Sequence, residues 1–389
     1  MISPARRSDI MSLSGAYFAF FAIVGLVVPY LSVYLDRLGY DSESIGIALA
    51  LVSIMRIIAP SLWSALADRT GQHVLIARIG IFLALLCLLL LFWIESRTQR
   101  LIALAAFNFF WTAILPQIEV ISLRRLASKE GLYAKVRSAG SIGFIVIATF
   151  AGVAIADYGA QAFVAIGALL SLLLFAILLL IKQPEAPQKS VSQDAGGSRF
   201  LSWPLIGLVG CAFLIQSSHG AYYTFFILHM NDLGYSSFMA GCLSALGVVA
   251  EVALFWGIGY CFARWSLLGI LRLALVLTVV RWLLMAYFSD VWPLLLTSLL
   301  LHAASFGMVH ACSMRWLHSN VDAQHQSKAQ ALYSGMGFGA GSVVGAALVA
   351  PLWAQGEGAT VSYVACATLA LAAVVLFQFT LAKPSKQSA

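Results

Sequence analysis

Charge is what this sequence has least of. Only 10% of its 389 residues are Asp, Glu, Lys or Arg, while 61% are hydrophobic. A soluble domain carries about a quarter charged residues, so a water-soluble fold is excluded and an all-α integral membrane protein is expected. Cysteine is scarce as well. Cys87, Cys211, Cys242, Cys261, Cys312 and Cys366 sit in apolar runs, with neither zinc nor disulfide spacing, and read as small packing residues. Metal-enzyme motifs are missing: His302 and His310 are eight apart, and His219 and His229 have no cysteine or carboxylate neighbour at ligand spacing. The chain is therefore not expected to be an enzyme. The Arg6-Arg7 pair precedes an apolar run that ends without a small-residue cleavage site, so it reads as a topology anchor rather than a signal.

What the sequence has is long apolar runs. Spans of about 20 residues fall at roughly 14–36, 44–66, 74–94, 101–123, 136–156 and 161–181. Six more fall at roughly 203–229, 236–260, 267–288, 291–315, 329–351 and 360–381. Twelve helices are expected, as a six-helix half over residues 1–181, a polar linker over 182–202 and a second six-helix half over 203–389. Lysine and arginine crowd the N-terminus, the even-to-odd connections and the C-terminal tail, among them Arg124, Arg125, Lys129, Lys182, Lys189, Arg264, Lys383 and Lys386. By the positive-inside rule both termini and the linker are cytoplasmic. The net charge of +7 follows from that bias and implies no nucleic-acid partner.

The halves repeat. LDRLGY at 35–40 matches MNDLGY at 230–235, and the same offset pairs Gly46 with Gly241, Arg69 with Arg264 and Gly140 with Gly335. Two similar six-helix halves suggest an alternating-access carrier with its site near the midplane. Ionisable residues at bilayer depth mark such sites, because each costs at least about 2.5 kcal/mol to bury. Along the repeat Arg56 corresponds to Glu251, Glu119 to Met314, Arg137 to Leu332, Arg281 to Leu86 and His302 to Phe107. The scaffold is duplicated but its buried charges are not, as an asymmetric substrate and a proton relay require. From about 1.5 Å of rise per residue, Arg56, Glu251, Arg281 and His302 lie near mid-bilayer. Glu119 and Arg137 lie closer to the cytoplasmic side on adjacent helices and are natural partners.

Arg56, Arg137 and Arg281 against Glu119 and Glu251 leave one positive charge in excess, which suits a monoanionic substrate. Arg56, Glu119, Arg137 and Arg281 are the candidate substrate-binding residues. Tyr17, Tyr30, Tyr34, Trp111, Tyr222, Tyr223 and Phe226 are candidates for a ring-stacking wall. Burial favours the neutral form of a carboxyl group, which makes Glu251 the candidate proton carrier. His302 extends the relay, and His310, about 12 Å deeper and roughly 80° round the helix, is a further candidate.

The motifs carry a resemblance. WSALADRTGQH at 63–73 resembles the loop 2–3 motif of the major facilitator superfamily, with Ser64 at its glycine and Gln72-His73 where basic residues usually stand. Asp68 and Arg69 match its gating pair. RIIAPSLWSALADRTG at 56–71, YAKVRSAGSIGF at 133–144, LHAASFGMVHACSM at 301–314 and QALYSGMG at 330–337 resemble the phenylpropionate permease family of proton symporters. The same residues look like the lactose permease branch: Glu119 and Arg137 match its sugar-binding pair, and Glu251, Arg281 and His302 its coupling residues. Ser305 replaces the carboxylate which that branch carries three residues after the histidine, and this moves the expected proton site to Glu251. The resemblance implies a proton-coupled importer of a small organic acid, monomeric, in a bacterial inner membrane, with no cofactor besides the proton as coupling ion. Symport of a neutral sugar or nucleoside, with Glu119–Arg137 as a hydroxyl clamp, and efflux are the alternatives.

Overall fold

The hexapeptides that mark the repeat fold into the same turn twice. Gly39 and Gly234, 195 residues apart, both take positive φ, +77° and +85°. Glycine does this without a Cβ penalty and closes the preceding helix. Gly39 N donates to Asp36 O at 2.8 Å and Tyr40 N to Leu35 O at 3.1 Å; in the second copy Gly234 N donates to Asn231 O at 2.9 Å. The next helix is capped at equivalent positions, Ser44 N donating to Asp41 Oδ1 at 2.7 Å and Met239 N to Ser236 Oγ at 3.2 Å.

The structure is a computed structural model that describes residues 4–126, 132–183, 201–322 and 325–382, with only the backbone of 4–8. The Arg6-Arg7 side chains, Lys129, the linker over 184–200 with Lys189, and Lys383 and Lys386 lie outside the described residues. Among the described residues twelve helices are long and apolar enough to cross a membrane. They are α1 (Asp9–Arg37), α2 (Ser42–Thr70), α3 (His73–Leu90), α4 (Arg97–Leu126), α5 (Leu132–Tyr158) and α6 (Gln161–Leu180). The second set is α7 (Trp203–Asp232), α8 (Ser237–Arg264), α9 (Leu267–Tyr287), α10 (Trp292–Asn320), α11 (Gln326–Gly356) and α12 (Ala359–Thr380). Several overrun their apolar runs, because hydrophobicity marks only the hydrocarbon crossing while the hydrogen-bond ladder continues into the interface. No strand occurs among the described residues.

Packing divides the chain into two compact units. One comprises Met1–Tyr40, Leu51–Ser190 and Tyr235–Cys242, the other Asp41–Ala50, Val191–Gly234 and Leu243–Ala389. In the first, α1 lies against α5 and α6, and α3 against α4 and α6; in the second, α7 lies against α11 and α12, and α9 against α10 and α12. The partners repeat helix for helix. α1 and α7 are the central helices, each with 78% of its most apolar stretch buried, against 28% in α2 and α8. The first turns of α2 group with the second unit because Gly46 has no Cβ to strike Ala350, and because Ser42 N donates to Gln355 Oε1 at 2.9 Å. The first turns of α8 group with the first unit by the same device, Gly241 sitting on the carbonyls of Ala148 and Thr149.

Among the described residues four helices are interrupted, and three of the interruptions lie near candidate residues. α4 breaks at Thr112-Ala113, four residues before Pro116, whose ring crowds the carbonyl at 112 and offers no N–H. Thr112 Oγ1 and Asn108 Nδ2 bond carbonyls one turn back, at 2.6 and 2.9 Å. α7 turns at His219, between Trp203–Ser218 and Gly220–Asp232. α10 contains a π-helical stretch, Ala303–Met308, and α11 another, Tyr333–Ala340. Such π stretches re-aim side chains within a helix and recur at functional sites.

Candidate functional site

Each unit brings its own cluster of candidate residues together. In the first unit Arg137 Nε lies 3.9 Å from Glu119 Oε1, with the two side chains 32% and 38% exposed. At that distance and exposure the pair contributes no more than about 1 kcal/mol, so it is free to exchange partners. The Arg137 guanidinium also lies over the rings of Phe21, at 4.0 Å, and Tyr17, at 5.4 Å. Arg56, half-buried, stands 5.9 Å from the centroid of Trp111. Trp111 is stacked between Phe20 and Phe107, at 5.2 and 5.6 Å. None of the ion pairs among the described residues includes Arg56.

The second unit holds the more deeply buried cluster. Arg281 of α9 is fully buried. Its Nη1 donates to Ser305 Oγ at 2.6 Å and to His219 Nε2 at 3.1 Å. Its guanidinium lies over Trp282 at 4.1 Å and Tyr222 at 4.6 Å, and desolvated contacts of that kind contribute about 2 kcal/mol. Trp282 is held by its Nε1 bond to Ser218 Oγ, 3.0 Å, and the Arg281 carbonyl accepts from Ser298 Oγ at 3.1 Å. Even so, Arg281 Nε and Nη2 are buried without a hydrogen-bond partner. Glu251 Oε2 lies 4.0 Å from His302 Nε2. The His302 ring is 6.0 Å from that of His219 and stacks on Phe306 at 5.6 Å.

Not every candidate joins a cluster. His310 contacts Tyr333 and Phe338, at 6.0 and 5.6 Å, in a setting apart from Arg281. The π stretch between the two histidines resets the angle that an ideal helix would give them. Tyr30 donates to Ala148 O at 2.5 Å, and Tyr34 stacks on Phe163 at 4.8 Å. These two expected wall residues pack helices together, whereas Tyr17, Trp111 and Tyr222 lie beside arginines. Asp68 and Arg69 are exposed at the end of α2. Asp68 Oδ1 is 3.8 Å from His73 Nε2, and His73 Nδ1 bonds Gln117 Oε1 at 2.8 Å. His73 thus stands between the exposed Asp68 and the buried Gln117.

The residue that sequence reading passed over is His219. Sequence spacing tested it only as a metal ligand, and among the described residues no group of three or more His, Cys, Asp or Glu could hold a metal ion. Its place follows from the polar run Gln216-Ser217-Ser218-His219. Ser217 Oγ donates to Phe213 O at 2.8 Å, Ser218 Oγ to Ile215 O at 2.6 Å and His219 Nδ1 to Ile215 O at 2.8 Å. Side chains that compete for helix carbonyls loosen the ladder, and the helix turns there. Gly220 and Gly345 then let α7 and α11 meet backbone to backbone. A polar run followed by glycine in an apolar span was the available signal.

Comparison with known proteins agrees with this architecture. The solved structure of the nucleoside transporter NupG (D323A mutant) superposes with a TM-score of 0.83 at 18% identity, covering 96% of this chain and 99% of that one. A "Probable 3-phenylpropionic acid transporter" of Escherichia coli is 29% identical over 84% of this chain and 86% of its own length. The "Maltose permease" of Geobacillus stearothermophilus is 28% identical, over 84% and 83%. The model of the MFS_1 like family matches residues 10–365. With twelve membrane-crossing helices in repeated sets of six and buried charge in each unit, the chain belongs to the MFS_1 like family and is a multi-pass membrane transporter, not an enzyme.

Proposed function

We propose that this transporter imports a small organic monoanion, an aromatic acid of the 3-phenylpropionate type, together with a proton by alternating access. The observation that carries the reading is an imbalance of embedded charge. Glu119 and Glu251 lie 3.9 and 4.0 Å from Arg137 and His302. Among the described residues Arg56 and Arg281 enter no ion pair. An embedded guanidinium that keeps its proton requires a counter-charge, and a carboxylate substrate supplies one. Arg56 and Arg137 are the proposed carboxylate-binding residues, with Arg281 an alternative to them. The Phe20–Trp111–Phe107 stack and Tyr222 with Phe226 offer apolar faces for a ring. Similarity to a phenylpropionate transporter supports the substrate class.

Glu251 and His302 carry the proton in this reading, with His310 a more distant participant, and Asp68-Arg69 take part in gating. The chain works as a monomer in a bacterial inner membrane with both termini in the cytoplasm. The test is uptake of radiolabelled 3-phenylpropionate by expressing cells, with and without a protonophore. Saturable uptake that the protonophore abolishes is expected. Absence of saturable uptake, or indifference to the proton gradient, overturns the reading.

A second reading rests on the loose Glu119–Arg137 pair, whose separation suits insertion of a sugar hydroxyl and whose chain resembles a maltose permease. Maltose uptake that survives loss of the Arg56 charge would favour it.

A further inference from the structure

His219 has hydrogen bonds that define its tautomer. Nδ1 lies 2.8 Å from the Ile215 carbonyl, which only accepts, so Nδ1 carries the proton. Nε2 therefore presents a lone pair, and the guanidinium of Arg281 donates to it at 3.1 Å. His219 and Arg281 are both fully buried. In this arrangement a neutral imidazole accepts from a cation that elsewhere in the site bonds only the hydroxyl of Ser305. Protonation at Nε2 would turn the acceptor into a donor and set two positive charges about 3 Å apart, which low-dielectric surroundings do not tolerate. Separation of the two groups, or an anion bound between them, relieves this. Arg281 already has Nε and Nη2 without partners, so a carboxylate has a bidentate edge to bind.

We infer that His219 Nε2 is a proton-binding site whose protonation releases Arg281 to a substrate carboxylate, so that one proton and one monoanion bind together. The inference rests on the anion reading proposed above and names the group that links proton to substrate. The charged and titratable neighbours fit it. Facing His219 are Arg281 of α9, His302 of α10 at 6.0 Å between rings, and Tyr223 of α7 at 5.4 Å. Glu251 of α8 lies beyond, 4.0 Å from His302. Side-chain exposure falls from 19% for Glu251 to 6% for His302, and His219 is fully buried. That gradient gives a proton a route inward: Glu251 loads, His302 passes, His219 holds. Reciprocity follows, since a proton that raises carboxylate affinity is itself held more tightly by the carboxylate. Loading is electroneutral, which spares the membrane interior a net charge.

The experiment is calorimetric titration of the purified full-length protein with 3-phenylpropionate from pH 5.5 to 8. Buffers of different ionisation enthalpy report the protons taken up per anion bound. Wild type is expected to take up about one proton per anion where His219 is neutral in the free protein, with affinity falling about tenfold per pH unit there. His219→Gln, or His219→Asn if the first is not monodisperse, should still bind the anion but lose the uptake and the pH slope. His229→Gln, at a histidine bonded to Ser289 at 3.0 Å, should keep both. Anion binding without proton uptake in wild type overturns the inference while leaving the anion reading intact, and so does uptake that survives His219 replacement. If 3-phenylpropionate does not bind at any pH, the anion reading and the inference fall together.

Discussion

Arg56 and Arg281 are both embedded guanidinium groups, yet the protein treats them differently. Arg56 is half-buried beside an aromatic stack and makes few commitments, whereas Arg281 is sealed among Ser305, His219, Tyr222 and Trp282. Replacing Arg56 with Gln should therefore act on substrate rather than on folding. Loss of a charge-assisted carboxylate contact costs about 2–3 kcal/mol, a roughly 30- to 160-fold rise in the half-saturating concentration of 3-phenylpropionate. Competition uptake assays measure it. A change of less than about threefold would remove Arg56 from the site. The embedded charges were the most legible part of the chain, because a lone arginine in an apolar run is costly and so stands out. Their partners were less legible. Glu119 and Arg137 were matched by helix adjacency and depth, but His219 was not, since a histidine in a polar stretch looks unremarkable until Arg281 is seen bonded to it.

At the scale of the element, interruptions do the positioning. The turn in α7 delivers His219, and the π stretch in α10 presents Ser305 and separates His302 from His310. Close backbone contact sustains the first of these. A Cβ on Gly345 would lie 2.5 Å from the Ser217 carbonyl, so Gly345→Leu must force α11 away from α7. Overpacking of this kind costs about 1–3 kcal/mol. Thermal melting followed by size-exclusion chromatography should show a lower midpoint, and loss of the His219 position should weaken anion binding at acidic pH most. An unchanged midpoint and pH profile would show that α7 tolerates the displacement. Helix existence and order were legible from apolar runs alone. The interruptions were not, because no local rule separates a π stretch from regular helix in a span of Ala, Gly, Ser and Phe.

Across the whole molecule the repeat governs more than sequence. Turns at Gly39 and Gly234, caps at Asp41 and Ser236, and burial of α1 and α7 all recur, while the embedded charges do not. Duplication thus supplied a frame in which each half acquired its own chemistry. Under the positive-inside rule the distribution of arginine and lysine predicts that both termini and the linker face the cytoplasm. Reporter fusions at the C-terminus and within 184–200 should be active only in a cytoplasmic context, and activity on the outer side would reverse the orientation. The first turns of α2 belong to the second unit and those of α8 to the first.

The sequence by itself determined the class of solvent, the number of crossings, the repeat and which residues are too costly to be there by accident. These follow from transfer energies that act residue by residue. Only the tertiary structure decided which groups gather round Arg281. A membrane helix is apolar on every side, so the periodicity that tells an inward from an outward face in a soluble helix is lost. Arg281 and His219 lie 62 residues apart, and packing and broken helix geometry alone bring the guanidinium to the imidazole.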